Sequence, residues 1–406
     1  MNILVYATTF GADLWCFTHF LDRQPGVEVR VLLDDPDVFR SEGVSKLFPL
    51  KARLIKRKWR HAFMGPGGFE PDVTIMDNNV PLFAPSPKGF MLWHGFGWKG
   101  PNDEKEFRWL HYTIKNCWGD AKISNPNFRW QCFGPWDLKH RTEVSGFHPD
   151  NCRVLGAASH DYLSKPFNAA LAQPYYPFDV VNQPTVLIAP TWHYGEVFSH
   201  WGGDGELFPK LIDQITANGA NVILRLHDSF RYEKQYRTFL HSLSERYENV
   251  YLKFKDKNPD NFLDLKISDL LITNYSSIAN LFYATGQPVI HVYPVKDADE
   301  RFLWRSKTFA GVYKKEVDSA RFIWKLPPEE NGGLVARNFK ELQQQVDYTL
   351  GNPPCCKEAA SQFLDRYMLG ADGNNCERIW RAVQDLVYEG SLEQATHLEY
   401  AGAASQ

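Results

Sequence analysis

Residues 268–293 read SDLLITNYSSIANLFYATGQPVIHVY. The apolar run after Asp269 stops at Asn274, as a short buried strand does. Ser276 and Ser277 then stand before a helical pattern that closes at Gly286, and Pro288 opens a second apolar run. Strand, helix and strand in so short a stretch form the repeating unit of a parallel sheet covered by helices. A serine at a helix start is first of all an N-cap. The same hydroxyls and first-turn N–H groups can also hold a phosphate or diphosphate, and both readings stand.

The rhythm continues on either side. TVLIAP, NVILRLH and NVYLKF read as strands upstream, separated by helices through LFPKLIDQITANG and EKQYRTFLHSLSERY. Nearer the N-terminus, NILVYA, VEVRVLL, DVTIM and GFMLW alternate with segments such as DLWCFTHFLDRQ. Between the two halves, residues 166–184 are rich in proline and lack periodicity, which suits a linker. Two Rossmann-like α/β domains in tandem are therefore expected: residues 1–165 and residues 185–355. Terminal helices over 356–392 would pack back toward the cleft, and residues 393–406 form a flexible polar tail.

With 406 residues, 44% hydrophobic and 23% charged, the chain is a folded globular one. A net charge of −3 gives no general attraction to nucleic acid. The seven cysteines include no C-x-x-C pair, so neither a disulfide framework nor a zinc site is signalled, and a reducing cytoplasm fits. The N-terminus reads as a buried strand, and nothing approaches the roughly 18 apolar residues of a membrane span.

In open parallel sheets ligands bind beyond the carboxyl ends of strands, so strand ends carry the candidates. After GFMLW comes HGFGWKG, where Gly95, Gly97 and Gly100 have the spacing of a dinucleotide turn. Pro101 and the lack of a later strand ending in an acid argue against that reading. There remains His94 in a glycine-permissive loop with Lys99 nearby, suited to general-base work or to simple packing. VILRLHDS sets Arg225 and His227 two apart on one strand face, either for phosphate oxygens or, for Arg225, as an ion-pair residue. Asp35 and Asp37 form a D-x-D after a strand, a pattern that can hold a metal with a nucleotide, but with Pro36 between them they read first as a turn. Residues 51–63 hold Lys51, Arg53, Lys56, Arg57, Lys58 and Arg60 without an acid, while Leu54, Ile55, Trp59 and Phe63 can share a helical face. This is the pattern of an interfacial helix on anionic lipid, or of a surface helix packed on its own domain.

Taken together, WHGFGWK (Trp93–Lys99), LGAASHD (Leu155–Asp161), APTWH (Ala189–His193), RLH (Arg225–His227), DLLITNYSS (Asp269–Ser277), QPVI (Gln287–Ile290) and DGNNCER (Asp372–Arg378) resemble, in order and spacing, the CDP-glycerol glycerophosphotransferase family of teichoic acid and capsule polymerases. The resemblance implies a GT-B architecture, two Rossmann-like domains facing a cleft. It also implies a cytoplasmic enzyme, peripheral on the inner membrane face, that moves a polyol phosphate from a CDP-activated donor to a glycan or lipid-linked acceptor and releases CMP.

On that resemblance His94 is the base and His227 holds the transferred phosphate. Arg225, Asn274, Ser276 and Ser277 bind the donor diphosphate, and Lys99, Thr191, Asn374 and Arg378 lie near the cleft. No metal ligands and no firm cofactor are implied; a divalent cation stays open. Phe96 and Gly97 stand where the family has Thr-Pro, Ala158 and Ser159 where it has Pro-Arg, His193 where it has Arg, and Asn274 where it has Asp. These changes bear on the donor, and a GT-B glycosyltransferase using a nucleotide sugar is the rival reading. A non-catalytic glycan- or nucleotide-binding module is the third.

Overall fold

The computed structural model describes residues 1–7, 10–93, 95–96, 103–191, 197–198, 201–274, 276–293, 301–308, 311–318, 326–327 and 329–388. His94, Lys99, Trp192, His193 and the tail over 393–406 lie outside the described residues.

The first half builds one sheet from β1 (Asn2–Tyr6), β2 (Glu28–Leu33), β3 (Arg53–Lys56), β4 (Val73–Met76), β5 (Lys88–Met91), β6 (Phe128–Cys132) and β7 (Cys152–Val154). Their spatial order is β3-β2-β1-β4-β5-β6-β7, every neighbour parallel. The second half repeats the plan with β8 (Thr185–Ile188), β9 (Asn221–Leu226), β10 (Val250–Phe254), β11 (Leu270–Thr273) and β12 (Val289–Val292). A hairpin, β13 (Arg301–Thr308) with β14 (Gly311–Asp318), follows before β15 (Leu334–Ala336) completes the second sheet. That sheet runs β10-β9-β8-β11-β12-β15, again all parallel. Such strands are apolar on both faces because helices cover both; β4, β8, β11 and β12 are buried at every position. In each sheet the strand order reverses beside its first strand, β1 or β8, which is where ligands of this architecture sit.

The two halves share one hydrophobic cluster, with Trp15, Phe262, Tyr283 and Phe363 among its buried members. Residues 166–184, which read as a linker, form two short turns, and they bury Ala172, Tyr176, Phe178 and Val180. The helical pattern over residues 357–388 divides into a helix at Lys357–Tyr367 and another over 375–388. Between them Leu369, Gly370 and Gly373 have positive φ, which ends the first helix. The last helix then docks on the first half: Asn375 and Cys376 donate their backbone N–H groups to the two oxygens of Asp161, at 2.9 and 2.7 Å. That carboxylate caps a helix whose preceding chain belongs to the other half.

The expected helix over residues 51–63 is corrected. Arg53–Lys56 is the edge strand β3, paired with β2, and only Trp59–Ala62 makes a single 3-10 turn. Main-chain pairing wins locally: Arg57 donates its N–H to Leu33 O at 2.6 Å, and its Nε reaches Asp34 at 3.0 Å. Basic side chains on an exposed edge strand also discourage pairing with another chain.

Candidate active site

The second sheet supplies the core of the site. At the end of β11 the buried Asn274 accepts the backbone N–H of Thr191 at 2.6 Å, and Thr273 Oγ1 donates to Ala189 O at 2.6 Å. The segments Ala189–Thr191 and Asn274–Ser277 are thus joined at the reversal point between β8 and β11. Ser277 stands at the N-cap of the helix Ile278–Phe282, yet its side chain makes no capping hydrogen bond. The plain capping role is therefore not what occupies that hydroxyl.

The first sheet brings its own loop to the same place. After β5, Trp93 donates its N–H to Gln131 Oε1 at 3.2 Å, and Gln131 Nε2 donates to Gly156 O at 2.5 Å. Gln131 is fully buried, so both bonds matter to the position of the loop. Gly156 has φ of +76°, and a Cβ there would lie 2.0 Å from Asn375 Oδ1, so the last helix seats directly against it. Gly95 comes across to the other half: a Cβ on it would lie 2.6 Å from Ser277 Oγ and 2.8 Å from Ser277 Cβ. Backbone without a side chain is what lets the two loops touch. His94 itself lies outside the described residues, but its neighbours Trp93 and Gly95 put that loop against the Ser276–Ser277 turn. Phe96, buried, anchors the loop against Trp136, Phe363 and Tyr367, with ring centroids 4.9, 6.0 and 6.5 Å away.

Arg225 is where expectation and structure part. Its guanidinium donates to Asp264 at 2.9 Å and to Asn258 O at 2.9 Å, and Asp264 also takes Lys253 Nζ at 2.7 Å and Tyr176 Oη at 2.6 Å. Arg225 thus makes the ion pair of its two readings, with both terminal nitrogens engaged in the core. A buried carboxylate that gathers two cations holds them firmly, and their charges keep Asp264 below the usual carboxylate range despite burial.

His227, two residues further on, sits past the end of β9 and is half-buried. Its Nδ1 is 2.7 Å from the carboxylate of Asp228. The Asp228 N–H and the Arg231 Nε–H approach that same nitrogen at 2.8 and 3.0 Å, which would suit an unprotonated Nδ1. Those two N–H groups need Nδ1 as their acceptor, which assigns the proton of the neutral ring to Nε2. Burial presses the imidazole down to about 3, against the opposing pull of Asp228, so it is neutral before an anion arrives. Beside it, at the end of β10, Lys255 is half-buried. Burial lowers its ammonium below the usual lysine range, while Asp228 and Asp77 pull it back up. Asp77 follows β4 of the first sheet, so the carboxyl ends of the two sheets face each other. Asp228, Arg231, Lys255, Asp77 and Gln131 were not singled out by sequence; only Lys255, two beyond Lys253 on an apolar strand, carries a signal that spacing could have revealed.

Asn374 and Arg378 lie at the start of the last helix. Arg378 makes a bidentate pair with Asp372 at 2.8 and 2.9 Å and also reaches Asn375 Oδ1, so its donors shape that turn. Of the basic segment, Arg57 is held by Asp34 and by Ala7 O. Trp59, Phe63, Met64 and Phe83 are exposed, with neighbouring rings 5.5 Å apart, and the exposed Lys56, Lys58 and Arg60 lie close to Trp59 in the chain. Among the described residues no helix is long and apolar enough to cross a membrane, and no group of three or more His, Cys, Asp or Glu could hold a metal ion.

Two parallel-sheet domains with their carboxyl ends facing across a cleft define a GT-B fold. Solved structures agree: a variant of the wall teichoic acid polymerase TagF soaked with CDPG matches with a TM-score of 0.62 at 14% identity, over 97% of this chain and 90% of that one. A putative UDP-N-acetylglucosamine 2-epimerase from Listeria monocytogenes matches at 0.51 and 12%, over 95% and 96%. A UDP complex of MnaA from S. aureus matches at 0.52 and 11%, over 96% and 97%. No curated protein sequence gives a significant match. Residues 176–307 match the family described as CDP-Glycerol:Poly(glycerophosphate) glycerophosphotransferase.

Proposed function

We propose that this chain transfers glycerol phosphate, or a related polyol phosphate, from a CDP-activated donor to a hydroxyl of a cell-envelope glycan or lipid-linked acceptor. The observation that carries the reading is the approach of Gly95 to Ser277, which brings the His94 loop of one domain against the Asn274–Ser277 turn of the other. An acceptor hydroxyl deprotonated by His94 attacks the β-phosphorus of the donor. The new P–O bond forms as the bond to the bridging oxygen breaks, and CMP leaves with that oxygen. His227 contacts the transferred phosphate; the arriving negative charge raises its imidazole, so a proton is shared where charge develops. No covalent intermediate is needed, and catalysis is positioning plus charge stabilisation.

Purified protein given CDP-glycerol and a polyol-phosphate or glycan acceptor is expected to release CMP, with His94→Ala and His227→Ala each reducing release by at least about 100-fold. CMP release that survives both substitutions would overturn these roles. Selective thermal stabilisation by a UDP-sugar and none by CDP compounds would favour the glycosyltransferase reading.

The membrane part of the proposal rests on the exposed Trp59, Phe63, Met64 and Phe83 together with the exposed Lys56, Lys58 and Arg60 of the same segment. Aromatic side chains seat at the lipid interface, and each nearby basic residue adds about 1 kcal/mol of attraction to anionic lipid. The chain should co-sediment with vesicles containing anionic phospholipid, more weakly at high salt, and Trp59→Ser with Phe63→Ser should release it. Sedimentation unaffected by this pair of changes would remove the patch from the account.

A further inference from the structure

The phosphate-binding cation expected at Arg225 is locked in the core by Asp264, which leaves the donor's charge to be met by another residue. We propose that Lys255 is that residue: it holds the β-phosphate of the donor diphosphate beside His227, at the carboxyl end of the second sheet. The inference rests on the donor reading above and adds a residue to it.

The argument is one of register. In the parallel pair β9 and β10, Arg225 stands opposite Lys253 and Leu226 opposite Phe254. The backbone N–H of Lys255 continues the ladder to Leu226 O at 3.0 Å, which sets Lys255 beside His227. Side chains repeat every two residues along a strand, so Arg225, His227, Lys253 and Lys255 share one face of the sheet. Two of these cations, Arg225 and Lys253, face Asp264 and are hydrogen-bonded to its carboxylate in the core. The next pair along the same face, His227 and Lys255, lies where the strands stop and the cleft begins.

Charge points the same way. Arg231 is engaged with Asp228 and with the imidazole of His227. Among the described residues the Lys255 ammonium has neither a hydrogen bond nor an ion pair. Burial lowers the ammonium, and Asp228 and Asp77, one from each domain, oppose that. A diphosphate entering between the domains gives that ammonium an anion within reach. A lysine serves as a mobile point charge able to follow the β-phosphorus as it changes partners.

Binding of CDP, CMP and inorganic pyrophosphate, measured by calorimetry on the whole chain, tests the inference. Lys255→Gln should weaken CDP roughly 10- to 100-fold and CMP by no more than about threefold, the loss of one charge-assisted contact to the β-phosphate. Lys255→Arg should recover most of the affinity, which a merely structural lysine would not require, and circular dichroism of both variants should match the parent. Equal CDP affinity in the parent and Lys255→Gln, or equal loss of CDP and CMP, would overturn the inference, as would a parent protein that binds none of the three. A parent that ignores cytidine compounds but binds pyrophosphate through Lys255 would keep the cation site and overturn the donor reading instead.

Discussion

Gly95→Ala is expected to lower CMP release by on the order of 100-fold while leaving the fold and melting behaviour unchanged. The added Cβ would meet Ser277 Oγ at 2.6 Å and Ser277 Cβ at 2.8 Å, closer than carbon atoms sit without displacement. Rotating the Ser277 hydroxyl relieves the first contact but not the second. Either the loop or the turn must therefore retreat by a fraction of an ångström, and base and phosphate separate with it. Removing the opposing carbon supplies the control: Gly95→Ala combined with Ser277→Gly should regain part of the lost rate, whereas Ser277→Ala should not. Gly205→Ala, where an added Cβ meets nothing within 4 Å, should have no effect. A fully active Gly95→Ala enzyme would mean that the two loops need not touch during turnover.

Asp264→Ala should be the most destabilising single change, costing on the order of 3–5 kcal/mol in denaturant unfolding. It takes from the buried Arg225 and Lys253 the carboxylate they are bonded to, leaving only the more distant charges of Asp260 and Glu42, and strips Tyr176 Oη of its acceptor. Arg225→Met should cost less, since Lys253 keeps its partner, and it should leave donor binding nearly intact. The folded-state pKa of Asp264 lies below its ordinary value, so its contribution is complete above the ordinary carboxylate range and fades as pH falls through the folded value. The gap between parent and Asp264→Ala should therefore be full at neutral pH and narrow in acid. A loss under about 1 kcal/mol at neutral pH, or a donor affinity that collapses in Arg225→Met, would return Arg225 to the diphosphate.

Much of the architecture was legible because buried parallel strands are apolar on both faces and stand out between helices. NILVY, VTIM, TVLI and LLIT needed no partner to be recognised. β6 was less visible because Arg129 and Gln131 interrupt its apolar run, and Gln131 earns its place only through bonds to Trp93 and Gly156 that no local pattern reveals. β3 looked helical since Leu54, Ile55, Trp59 and Phe63 satisfy a helical spacing, while β2 had the unpaired backbone groups to claim it. In the site, the motifs named the loops correctly as strand ends, but a strand sequence does not say which strand lies next to it. Arg225 and Lys255 are both basic residues near apolar strand ends; only the pairing of β9 with β10 and the position of Asp264 separate the core cation from the one in the cleft.

The capping of residues 375 and 376 by Asp161 has a mechanical consequence. The chain passes between its halves first through the packed stretch at 166–184 and again through the turn at 368–374, whose far side is fastened by that carboxylate. A body joined to another at two places keeps one easy rotation, about the line through both joints, and loses the twisting and sliding that a single tether would allow. Two fastenings of this kind favour a swing about that line over twisting or sliding, and the hydrophobic cluster shared by the two halves holds them packed beside it.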